Sequence, residues 1–128
     1  MSEQMLRVHN FFVSSDGFGS GEGQSLERPF GHANPADIAS WAGATASWPT
    51  RTDAGGTRGI DDYFVRDFHR NIGAEIMGRN KFGPQRGPWQ DHDWKGWWGD
   101  NPPFHTPVFV LTHYPRPSFT LSDTTFHF

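Results

Sequence analysis

The chain predicts an α/β fold, and three stretches carry that prediction: an amphipathic segment at helical spacing, a short apolar strand directly behind it, and a second apolar strand further on. The first is "IDDYFVRDFHRNIG", residues 60–73, where Ile60, Tyr63, Phe64, Phe68 and Ile72 recur at helical spacings. Acidic residues stand early, Arg70 stands late and Gly73 marks the stop, as the helix dipole favours. Residues 74–77 follow at once as an apolar strand, and helix running into strand is half of a βαβ crossover. The run from Pro107 through Leu111 makes the next strand; its four consecutive apolar residues predict a sheet covered on both faces.

The remaining elements follow in chain order. Residues 5–14, "MLRVHNFFVS", are β-branched and aromatic and are cut off by "SSDG", which predicts a first strand ended by a turn. "FGSGEGQSLERPFGHANP" holds too much Gly, Ser and Pro for a regular element and reads as a lid-like loop. Asn34 caps a short helix, "PADIASWA", with Pro35 at its first position and Ile38, Trp41 and Ala42 on one face. Residues 43–59 return to loop composition, and residues 83–106 combine Gly, Pro and Trp without a period. "YPRP" interrupts any ladder, and "TTFHF" alternates as a last strand that ends at the final residue. A sheet that still wants a helical cover there predicts a C-terminally truncated portion of a longer fold.

Composition narrows the functional classes. With 128 residues the chain suits one domain, and with 34% hydrophobic but 16% aromatic residues its core must be rich in rings. A net charge of -3 supplies no basic stripe for nucleic acid. No secretory h-region and no run of eighteen apolar residues occur, so a soluble cytoplasmic protein is the expectation. Absence of Cys excludes a disulfide frame, thiolate metal ligands and a Cys nucleophile.

The chemistry-bearing stretch is "IMGRNKF". A glycine at the carboxyl end of a parallel strand permits a tight turn, and the guanidinium of Arg79 offers forked donors matched to phosphate oxygens, with Asn80 and Lys81 beside it. An ordinary turn with a solvated cation fits the same residues. A second cluster, "WQDHDWKGWWGDNPPFH", gathers four Trp with Asp91, His92, Asp93, Asp100 and His105. It offers a metal site, a ring-stacking patch of a non-catalytic binding module, or rings that cap the core or line a substrate cleft.

Taken together, "SSDG" after the first strand, the Gly-rich loop, the acidic helix, "IMGRNKF" and "PVFVLTHYPRP" resemble, in order and over nearly the whole chain, the dihydrofolate reductase-like superfamily. The likeness is nearest to the riboflavin-biosynthesis reductase, or deaminase-reductase C-terminal domain, family. Ser14, Asp16, Gly17, Gly78, Arg79, Leu111 and Thr112 carry it. The resemblance implies a three-layer fold with a mixed, mainly parallel sheet, and an NADPH-dependent reduction of a pyrimidine- or pterin-like heterocycle. It implies cofactor contacts from Gly78, Arg79, Asn80, Lys81, Leu111, Thr112, His113 and Arg116, the last selecting the 2'-phosphate with Thr112 and His113. Ser14 and Gly17 fall at the implied substrate pocket, and Asp16 and Asp62 at the implied catalytic carboxylates. Without the resemblance, Asp16-Gly17 is a turn and Asp62 a helix N-terminal charge. The family pattern continues with a further helix and a glycine-rich turn, so a homodimer or a complementing C-terminal segment is the implied partner.

Overall fold

The computed structural model describes residues 3–8, 12–68 and 70–128. Its centre is a four-stranded mixed sheet of β1 (Glu75–Gly78), β2 (Pro107–Leu111), β3 (Phe119–Leu121) and β4 (Thr124–His127), in the spatial order β1-β2-β4-β3. The α/β class predicted from the sequence is therefore present. β1 pairs parallel to β2 with Glu75 opposite Val108, β2 pairs parallel to β4 with Val108 opposite Phe126, and β3 closes antiparallel on β4 with Phe119 opposite Phe126. The helices are α1 (Pro35–Gly43), α2 (Ile60–Val65) and α3 (Arg79–Phe82), which continues directly from β1.

The sheet buries one face. Met77, Val108, Val110 and Phe126 point into a core with Phe82, Trp89 and Phe104, and Trp94, Trp98, Phe119, Leu121 and Phe128 pack against it. Phe82 is its hub, with ring centroids of Trp89, Phe119, Phe126 and Phe128 between 5.1 and 6.3 Å away. Burying large rings that also meet edge to face stabilises beyond the area they remove from water. The opposite face carries Ile76, Phe109 and Leu111, all exposed. The expectation of a sheet covered on both sides is thus corrected: the apolar run in β2 alternates buried and exposed along its length.

A second aromatic cluster joins the helices. Asn34 accepts from Ala36 N at the start of α1, as its cap position predicts, and Ala42 is buried at the other end. Arg51 closes that end, donating to the carbonyls of Gly43 and Thr45 at 2.8 and 2.9 Å. α2 is much shorter than the predicted 60–73. After Val65 the hydrogen bonds tighten, Phe68 N donating to Val65 O and Arg70 N to Asp67 O, and Asn71 turns to φ 57°. The tightening swings Phe68 onto Phe12 and Trp48, with centroids 6.0 and 6.3 Å apart. Val65 consequently faces inward, whereas Ile60, Tyr63 and Phe64 of the predicted apolar face lie exposed.

The first strand predicted over residues 5–14 is absent from its described part. Residues 5–8 belong to no helix or strand, and Met5, Leu6 and Val8 are exposed, so their β propensity has no neighbouring surface to bury. Residues 9–11 lie outside the described residues. Among the described residues no helix is long and apolar enough to cross a membrane.

Candidate functional site

β1 and β2 run parallel and end side by side at Gly78 and Leu111. Outside these carboxyl ends lies a cleft of about 280 Å³ lined by Arg79, Asn80, Gln85, Arg86, Gly87 and residues 111–114. Open α/β sheets characteristically bind ligands at this position. Six of the implied cofactor residues are accounted for around it: Arg79, Asn80, Leu111, Thr112 and His113 line the cleft, and Gly78 ends the strand beneath them.

Arg79 is the organising cation. Its guanidinium carbon sits 3.9 Å from the centroid of Trp89 and 5.6 Å from that of Tyr114, close enough for cation-π attraction to both rings. Nη1 reaches Thr112 Oγ1 at 3.5 Å, and Tyr114 N donates to the same hydroxyl at 3.0 Å. Arg79 Nε and Nη2, and both polar atoms of the Gln85 amide, are buried without a hydrogen-bond partner among the described residues. Such groups are costly to leave unpaired, on the order of 1–3 kcal/mol each. A planar fork held on an indole and short of acceptors has the chemistry of a site for a phosphate or carboxylate.

The Trp-rich segment supports this site from below. Trp94 Nε1 donates to Phe82 O and Trp97 Nε1 to Lys81 O, both at 2.9 Å, so two indoles satisfy the carbonyls at the end of α3. Trp89 Nε1 donates to Tyr114 O. These rings therefore hold Arg79 and its strand connection in place, the core-capping alternative among those the sequence left open. Asp91 Oδ1 accepts from the backbone N of Asp93 and Trp94 in a tight turn, and His105 Nδ1 pairs with Asp123 at 2.8 Å. Among the described residues no group of three or more His, Cys, Asp or Glu could hold a metal ion.

A second cleft of about 380 Å³ adjoins α3, lined by residues 21–24 with Asn80, Pro84 and Arg86. Its far wall is the Gly-rich loop, which closes on itself through His32 N to Glu22 O and Gly21 N to Phe30 O. Gly31, at φ 62°, is required there, because an added Cβ would stand 2.1 Å from Glu22 O. Asn80 Nδ2 donates to Gln24 Oε1 at 2.8 Å and so ties loop to helix. Arg86 and Asn80 line both clefts.

Other sequence-predicted residues lie elsewhere. Arg116 is buried, stacks near Trp89, Phe119 and Phe128, and donates to His92 O at 2.6 Å and Trp94 O at 3.2 Å. Burial pulls its pKa below the ordinary arginine value, opposed by Asp91 and Asp93. Its guanidinium anchors the Trp-rich segment, and it lines neither of the two clefts. Ser14, Asp16 and Gly17 form an exposed turn: Ser14 Oγ donates to Asp16 Oδ1, Phe18 N donates back to Ser14 Oγ at 3.0 Å, and Gly17 takes φ 92°. Asp62 accepts from Ser47 N at 2.7 Å and braces the loop before α2. None of these four lines either cleft, nor does Lys81, which is exposed while its carbonyl meets Trp97.

Gly78 has an unexpected conformation. Its φ of -71° and ψ of 152° suit any residue, and nothing lies within 4 Å of an added Cβ, so the turn itself does not require glycine. Trp89, Tyr114, Gln85 and Arg86 are the site residues that sequence reasoning did not single out. The dipeptides flanking the glycines in "GPQRGPW" were the available signal, since a loop returning to a strand end must place its side chains against that end. No protein-family model matches the chain, and no curated protein matches it.

Proposed function

We propose that the chain acts as an NADPH-dependent reductase of a pyrimidine- or pterin-like heterocycle, built on a dihydrofolate reductase-like fold, with a cofactor phosphate held at the ends of β1 and β2. The observation that carries this reading is the Arg79 guanidinium, held on Trp89 with Nε and Nη2 unpartnered beside the cleft. The residues present fit the group: phosphate oxygens are the acceptors that Arg79 Nε and Nη2 and Gln85 Nε2 lack, and exposed Arg86 adds charge at the cleft rim. When bound, NADPH would supply the hydride.

The chain's own part is positional. Arg79 clamps charge, Thr112 braces Arg79, and Leu111 and Tyr114 offer apolar surface to a ring. Asn80, shared by both clefts, gives a ligand in the first a polar path toward the Gly-rich loop, where the amide of Gln24 and the carboxylate of Glu22 suit a heterocycle with alternating donors and acceptors. With Arg116 committed to the core, preference for NADPH over NADH falls to Arg86, His113 and Thr112.

Equilibrium titration of the purified chain with NADPH and with NADH tests the reading, using Arg79→Ala and Arg86→Ala. Loss of one charge-assisted contact of about 1.5–3 kcal/mol weakens NADPH roughly 10- to 150-fold in Arg79→Ala. Equal affinity of wild type and Arg79→Ala, or no binding by wild type, refutes it.

A further inference from the structure

We propose that Trp89 is a positioning residue whose indole presets the Arg79 guanidinium for the ligand phosphate; the inference rests on the phosphate reading of the cleft. Three observations converge on this ring. Its centroid lies 3.9 Å from Arg79 Cζ, a stacking distance, whereas Arg116 approaches the same ring only to 5.1 Å. Trp89 is buried, and its Nε1 donates to Tyr114 O, so its plane is fixed by the strand-end segment that forms the opposite wall of the cleft. Its other contacts, Phe82 at 5.9 Å and Phe128 at 5.5 Å, are edge-to-face packing within the core.

An arginine side chain free in water samples many rotamers, and fixing it on binding costs entropy. A guanidinium already held over an indole has met that cost during folding, and its Nε and Nη2, buried and without a partner among the described residues, keep the planar fork that matches two phosphate oxygens. Lysine at position 79 would keep the charge but lose both the stack and the fork. Trp89 thereby couples the aromatic core to the ligand without touching the ligand itself.

The test is a double-mutant cycle on NADPH affinity with Trp89→Leu and Arg79→Ala, alongside Trp89→Phe and thermal melts of every variant. Trp89→Leu is expected to weaken NADPH about fivefold to tenfold, the scale of a partly desolvated cation-π contact, with Trp89→Phe recovering part of the loss. In the Arg79→Ala background the same replacement changes affinity less than twofold, because its effect passes through Arg79. Should Trp89→Leu fail to fold, Trp89→Phe in the two backgrounds gives the same comparison at smaller amplitude. Equal losses with and without Arg79 assign Trp89 a merely structural role and overturn the inference while leaving the phosphate reading intact. Absence of NADPH binding by wild type overturns the phosphate reading and the inference with it.

Discussion

Phe82 joins the core to the candidate site, and its removal gives the most quantitative expectation. It is fully buried and occupies the same single-turn helix as Arg79, which it anchors against four rings at 5.1–6.3 Å. Truncating a buried Phe to Ala costs about 3–5 kcal/mol through lost transfer energy and the cavity left behind. Four lost aromatic contacts place Phe82→Ala in the upper half of that range, at about 4 kcal/mol. Small domains have roughly 5–15 kcal/mol in all, so most of the margin disappears. At about 4 °C per kcal/mol for a chain of this size, the melting temperature falls by roughly 15 °C. Phe109→Ala is the internal control. Phe109 lies on the open sheet face, 43% exposed and stacked on His127 at 4.9 Å, so its truncation costs about 1 kcal/mol. Urea unfolding followed by circular dichroism measures both. If the two variants lose equal stability, the one-sided core is wrong.

Further outcomes follow from single contacts. Trp94→Phe keeps most of the ring but removes the donor to Phe82 O, and is expected to cost about 1 kcal/mol in urea unfolding. Gly31→Ala forces a Cβ against Glu22 O at positive φ and destabilises by more than about 1 kcal/mol, whereas Gly78→Ala, in an extended conformation with open space, is neutral or stabilises by about 0.4–1 kcal/mol. Thermal melts separate these two glycines. Burial raises the pKa of Glu75 above its ordinary 4.5, with Lys81 opposing. The folded state therefore binds this proton more tightly than the unfolded chain, so Glu75 favours folding below 4.5 and loses that contribution as pH rises through the folded pKa. Glu75→Gln is expected to gain stability on wild type at neutral pH and to lose that advantage in acid; a difference independent of pH would contradict this.

The strands at 75–78 and 107–111 were legible because each is a short apolar run set off by turn residues, although the helix read over 60–73 extends only from Ile60 to Val65. The exact strand is offset by one residue, β1 starting at Glu75 and taking in Gly78. β3 escaped because its turn to β4, Ser122-Asp123, lacks the usual glycine, with Ser122 itself adopting φ 53°. Periodicity counted Ile60, Tyr63 and Phe64 as a core face, but tertiary contacts of Val65 and Phe68 chose a different one. At the site, Arg79, Asn80 and Thr112 were readable from their place after strands. Trp89 and Gln85 were not, since only folding brings an aperiodic loop back beneath a strand end. Arg116 is a related case: an arginine in a loop carries no mark in sequence that says its charge turns inward.

The central claim is that a phosphate-bearing cofactor sits at the carboxyl ends of β1 and β2 on Arg79. Chemical-shift mapping of the ¹⁵N-labelled chain, including the arginine Nε groups, during titration with NADPH tests it most directly. The account predicts that Arg79 Nε, the Gln85 side-chain amide and the backbone amides of Asn80, Arg86 and residues 111–114 move together and saturate, while the turn at residues 14–18 stays still. Shifts confined to that turn or to the exposed face of α2, or an Arg79 Nε that does not move at saturation, would contradict it.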